Sequence, residues 1–157
     1  MRAFVSSKLD YCNALFYGIN KKQLHRLQCV QNVAAKLVKG ARKYDHVTPI
    51  LVELHWLPLA ERVEYKCTLL AWKAVNDQAP EYLQELISAD DNGRRHRSKD
   101  KHLLYDPMTK LVSGGDRSFT KYAPVLWNNL PFYMRVTTDL ESFKTDLKTL
   151  LFSKAYD

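Results

Sequence analysis

KKQLHRLQCVQNVAAKLVK, residues 21–39, decides the fold class. At 100° per residue, Leu24, Leu27, Val30, Ala34, Leu37 and Val38 fall within an arc of about 140°, the width of a core-facing helical stripe. Lys22, His25, Arg26, Asn32, Lys36 and Lys39 fall on the opposite arc. Gly40 follows as a C-terminal stop, because glycine adopts the left-handed conformation without a Cβ penalty. The stretch therefore predicts one long helix with a core face and a basic face.

Working outward, the same period recurs. Upstream, residues 1–18 carry Phe4, Val5, Leu9, Tyr11, Leu15, Phe16 and Tyr17, with no cap before them, and Gly18-Ile19-Asn20 breaks the segment. Downstream, Thr48-Pro49 predicts a cap with proline at the first helical position, and a helix through Ile50, Leu51 and Leu54 to Pro58. A longer helix is expected over 59–77, then a short one opened by Pro80. Residues 88–101, SADDNGRRHRSKDK, hold no large apolar group and read as a mobile polar loop. Residues 102–112 predict at most a short extended piece or hairpin, and Gly114-Gly115-Asp116 a turn. Ser118 is placed to cap a helix bearing Phe119, Tyr122, Leu126 and Trp127. Thr138 and Glu141 have capping-box spacing before Leu140, Phe143, Leu147 and Leu151. The expectation is a mainly α, irregular domain of about six helices. Its parts are 1–87, holding the basic helix, the loop 88–101, and 102–157 packing on the first part. Trp56, Trp72 and Trp127 sit in apolar surroundings and are expected in the core.

Length and composition agree. The chain has 157 residues, 46% hydrophobic and 26% charged, which suits one domain or two small ones and argues against wholesale disorder. No apolar run reaches the roughly 18–20 residues that span a bilayer, and no secretion signal is apparent. An intracellular chain, nuclear or cytoplasmic, is expected, with no membrane partner. Three cysteines, Cys12, Cys29 and Cys67, cannot all pair and are read as reduced, mostly buried thiols.

The charge is uneven. The net charge is +7, and between Asp10 and Asp45 there are seven Lys and Arg but no acidic residue. A basic array on one helical face suits phosphate contacts. A second cluster includes Arg94, Arg95 and Arg97. Reactive chemistry finds no comparable signal. Asp90-Asp91 is the sole adjacent carboxylate pair and lies in the polar loop. A Gly-x-Ser-x-Gly elbow and a glycine-rich phosphate loop are both missing from the sequence. His25 and Cys29 stand i,i+4, half a zinc site that His46 or His55 would have to complete by coincidence. No catalytic residue, metal or cofactor is assigned.

Taken in order, several stretches resemble a known family. They are LDYCNALFYG (9–18), LHRLQCVQNVAAKLV (24–38), DHVTPILVELHWLPLAERVEYK (45–66), APEYL (79–83), Arg97-Ser98, GDRSF (115–119), APVLWNNLP (123–131) and FKTDLKTLLF (143–152). The chain resembles, over nearly its whole length, the C-terminal region of the polyprotein of LINE-type, non-LTR retrotransposons of the jockey and chicken-repeat group. The resemblance implies a non-catalytic, thumb-like part of an RNA-directed DNA polymerase. The palm, with its Mg²⁺-binding aspartates, and the endonuclease would lie outside it. It also implies a start at Met1 inside a truncated copy. Lys22, Arg26, Lys36 and Lys39 become candidates for backbone contacts to RNA, RNA–DNA hybrid or DNA duplex. Asn32 would add a sugar or groove contact, and Arg42 and Lys43 extend the stripe. The Arg94, Arg95 and Arg97 cluster is open between RNA binding, nuclear import and a solvated charge run. Tyr122 departs from the family, where a small residue is expected. The alternative reading is a structural piece that packs on the polymerase palm and binds no nucleic acid alone.

Overall fold

The computed structural model describes residues 2–89, 102–108, 115 and 117–157. Among them the fold is mainly helical. In chain order come α1 (Arg2–Asp10), a 3-10 turn (Asn13–Phe16), α2 (Lys21–Lys39), α3 (Val47–Glu53), α4 (Leu59–Val75) and α5 (Glu81–Gln84). After these follow α6 (Phe119–Asn128), α7 (Phe132–Arg135) and α8 (Leu140–Tyr156). None is long and apolar enough to cross a membrane. Leu104 forms an isolated antiparallel bridge with Ala89. Residues 90–101 and 109–112 lie outside the described residues.

Two compact units emerge, Met1–Tyr65 with Thr149–Asp157, and Lys66–Lys148. The divisions fall inside α4 and α8, whereas composition places a break at the polar stretch 88–101.

In the first unit, α2 begins at Asn20, whose side chain accepts the Lys22 amide at 2.9 Å. It ends at Gly40, at φ 65°. There the Ala41 amide reaches back to the Lys36 carbonyl at 2.9 Å and satisfies an acceptor left over by the last turn. Ala34 and Ala35 pack with Leu51 and Trp56, and Val5, Val47, Ile50, Leu54 and Tyr156 close around them. The small alanines let α2 approach α3 closely. The buried face differs from the sequence expectation. Gln31 is fully buried, while Val30 and Leu37 are exposed. The helix is turned by roughly 50° about its axis from the purely apolar arc.

The cause is the connection between α3 and α4. Pro58 carries no N–H, and the backbone groups on either side of it need partners. The Gln31 side chain donates to the Leu57 carbonyl at 2.8 Å. The Leu59 amide donates to Gln28 Oε1 at 2.7 Å. Both glutamines must therefore face inward, and the aliphatic residues at the edge of the arc turn out to solvent. Asp10 and Arg62 form a two-pronged ion pair. The Tyr156 hydroxyl donates to the Trp56 carbonyl at 2.5 Å. Burial, and then the charge of Glu61, push this phenol up to about 12.

In the second unit, Trp72, Trp127, Met134 and Phe143 are fully buried. Trp72 stacks on Phe143 at 5.4 Å between ring centres, and Trp127 lies 6.5 Å from the same ring. Each indole also satisfies its N–H, Trp72 on the Thr137 carbonyl at 2.9 Å and Trp127 on the His102 carbonyl at 2.7 Å. Asn128 bonds both backbone groups of Leu104, at 2.9 and 2.8 Å. Tyr122 is buried edge-on to Phe119 at 5.5 Å between ring centres.

Helix starts shift slightly from the sequence reading. The helix at Thr48 begins at Val47, and Pro49 sits within its first turn. Asp139, not Thr138, caps α8 by accepting the Ser142 amide at 2.7 Å. These Ser142 hydrogen bonds hold the Asp139 carboxyl below the usual range. Ser118 precedes α6, but its hydroxyl donates to the Gly115 carbonyl at 2.7 Å instead of capping. None of Cys12, Cys29 and Cys67 forms a disulfide, and only Cys67 is buried. Cys12 lies before the 3-10 turn and Cys29 on the outward side of α2, which corrects the expectation of mostly buried thiols.

Candidate nucleic-acid interface

The expected contact residues cluster on α2 and the turn after it. Lys22, Arg26 and Lys36 project within an arc of roughly 80° on the polar side of the helix. Lys22 and Arg26 are exposed and Lys36 is half-buried. α2 holds no acidic residue. Nothing on its own surface neutralises this array.

The candidates are not equivalent. The Lys36 ammonium donates to the Lys43 carbonyl at 2.7 Å. Its position is fixed by the turn it supports. Lys39 forms an ion pair with Glu53 of α3. A phosphate would have to displace that carboxylate, so Lys39 is the weakest of the basic candidates on the helix. Asn32 is half-buried, and its carbonyl oxygen accepts from Gln28 Nε2 at 2.8 Å. That bond orients Gln28 toward Leu59, so Asn32 has a structural task.

The 40–45 turn is well defined. The Arg42 amide donates to Asp45 Oδ2 at 2.6 Å, and the Asp45 amide returns to the Arg42 carbonyl at 3.2 Å. With the Lys36 bond, these contacts hold Arg42 and Lys43 as exposed extensions of the basic stripe. Lys43 lies over the ring of Tyr44, 5.7 Å from its centre, and Tyr44 is itself exposed. Arg94, Arg95 and Arg97, like Asp90-Asp91, lie outside the described residues.

His25 Nε2 lies 3.6 Å from Cys29 Sγ on the same helix. Among the described residues no three His, Cys, Asp or Glu side chains converge as a metal site would require. The pair therefore gains no third ligand from His46 or His55.

Two features escape sequence reasoning. The glutamines that set the rotation of α2 are invisible to a hydrophobic pattern. The Lys39–Glu53 pair spans 14 residues and appears only once α3 packs back. Comparison with family models, with curated proteins and with solved structures finds no match to this chain.

Proposed function

We propose that the chain is a nucleic-acid-holding region of a non-LTR retrotransposon RNA-directed DNA polymerase, inactive by itself. It would grip primer–template or element RNA through its backbone. The observation that carries this reading is the surface of α2 and its following turn. Lys22, Arg26, Arg42 and Lys43 are exposed, Lys36 is fixed beside them, and no acidic residue lies between Asp10 and Asp45. Cations spaced along one helix follow a phosphate backbone and read no base, so the contact would be independent of sequence. The order of motifs supports the polymerase assignment. Polymerisation itself would belong to the palm, with its Mg²⁺-binding aspartates, and target nicking to the endonuclease. Those domains of the parent polyprotein would be this chain's partners.

The test is fluorescence anisotropy with a labelled RNA–DNA hybrid. The paired substitution Lys22→Glu and Arg26→Glu is expected to weaken binding by at least about tenfold, since two phosphate contacts become repulsions. Unchanged affinity would remove α2 from the interface.

A packing role is favoured by a separate observation. Val30, Val33 and Leu37 are exposed on α2, while Ala34 and Ala35 of the same helix lie in the core. Such a face suits a protein neighbour.

A further inference from the structure

The outward side of α2 carries an anomaly. Val30, Val33 and Leu37 are 52%, 59% and 62% exposed, while Gln31 of the same helix is fully buried. Single exposed aliphatic residues are ordinary, but three in helical register form a continuous stripe. Arg26 stands one turn before Val30 and in line with it. From Arg26 to Leu37 the stripe runs about 16 Å, three turns of helix.

We propose that this stripe docks an acidic amphipathic helix. The inference rests on the packing role; it shares Lys22, Arg26, Arg42 and Lys43 with the nucleic-acid reading, so the two partners would compete for those cations, while the aliphatic stripe serves the partner helix alone. A three-turn aliphatic ridge is matched by the apolar face of another helix, with anchors at i, i+3 or i+4, and i+7. The flanks determine the sign of the partner. Lys22 and Arg26 border the amino end, Arg42 and Lys43 follow the carboxyl end, and the helix contributes no acid. The amino end also carries the positive pole of the helix dipole. Glu or Asp residues beside the partner's apolar face would meet these cations. A second copy of the chain would instead bring cation against cation. A phosphate backbone would leave the aliphatic groups without complementary surface.

Two labelled peptides of about 15 residues test this, each with leucines at i, i+3, i+7 and i+10 on one helical face. One carries glutamate at the flanking positions and the other lysine, and a scrambled glutamate peptide serves as the reference. With the full chain, the glutamate peptide is expected to bind at least about tenfold tighter than either of the others. The triple substitution Val30→Ser, Val33→Ser, Leu37→Ser is expected to weaken it by about tenfold or more. Helix content by circular dichroism and affinity for the RNA–DNA hybrid are expected to stay unchanged. Should the triple variant lose helix content, Val33→Ser alone gives the same comparison, because an isolated surface change alters folding little. Equal binding of the glutamate and lysine peptides would overturn the charge assignment. Binding that survives both serine variants would overturn the site. A dimer by sedimentation that the triple variant dissolves would show that a second copy covers the stripe. Loss of hybrid binding in the triple variant would assign the stripe to nucleic acid. Failure of every peptide with hybrid binding intact would end the docking inference and leave the nucleic-acid reading standing.

Discussion

Gln31 shows how one side chain orients a functional surface. Its amide sits in the apolar interior and donates to the Leu57 carbonyl, 26 residues away. Gln31→Ala removes that donor and leaves a buried acceptor unpaired beside a small cavity. The expected loss is about 1–3 kcal/mol by urea denaturation, and a loss near zero would mean that water or a rearranged loop replaces the bond. Tyr156 gives a pH dependence. Its pKa is raised above the ordinary tyrosine value of 10.0, so the folded state holds the phenol proton more tightly than the unfolded chain does. The contribution is fully present below pH 10 and falls as pH climbs toward 12. Tyr156→Phe should therefore be less stable than the parent below pH 10, with the gap narrowing above it. A gap that widens in alkali would contradict the assignment. The buried tryptophans were legible from the sequence, since their type and apolar neighbours point inward. Gln31 was not, because glutamine is a surface residue by type and its partner is remote in the chain.

At the scale of elements, α2 was legible in extent but not in rotation. Its period, its Asn20 start and its Gly40 stop are local properties, so residues 21–39 match the helix end to end. Its rotation depends on Pro58 and on the backbone groups flanking it, which no periodicity reports. The cap of α8 shows the same limit, since Thr138 and Asp139 are both good capping residues and only the chain direction selects Asp139. Rotation also grades the cations. Lys39 is turned toward α3 and pairs with Glu53, whereas Lys22 and Arg26 point to solvent. Lys39→Glu is therefore expected to weaken hybrid binding less than Lys22→Glu or Arg26→Glu, as compared by anisotropy at one fixed salt concentration. Equal losses from all three would mean that Glu53 gives way to the nucleic acid.

For the molecule as a whole, the helical class was legible because about six segments share one period. The two compact units were not, because their divisions lie inside α4 and α8, where the sequence shows no change in composition. Charge distribution is the whole-molecule property that supports the proposed function. The excess of +7 is concentrated where acids are missing, and the fold leaves most of that stretch at the surface.

The most direct test is the salt dependence of binding to a labelled RNA–DNA hybrid. With about four phosphates neutralised, by Lys22, Arg26, Arg42 and Lys43, log affinity should fall with log salt at a slope of roughly −3 to −4. Lys22→Glu with Arg26→Glu should flatten that slope by about two. No binding by the folded chain, or a slope near zero, would contradict the account and leave the basic side of α2 as a solvated surface.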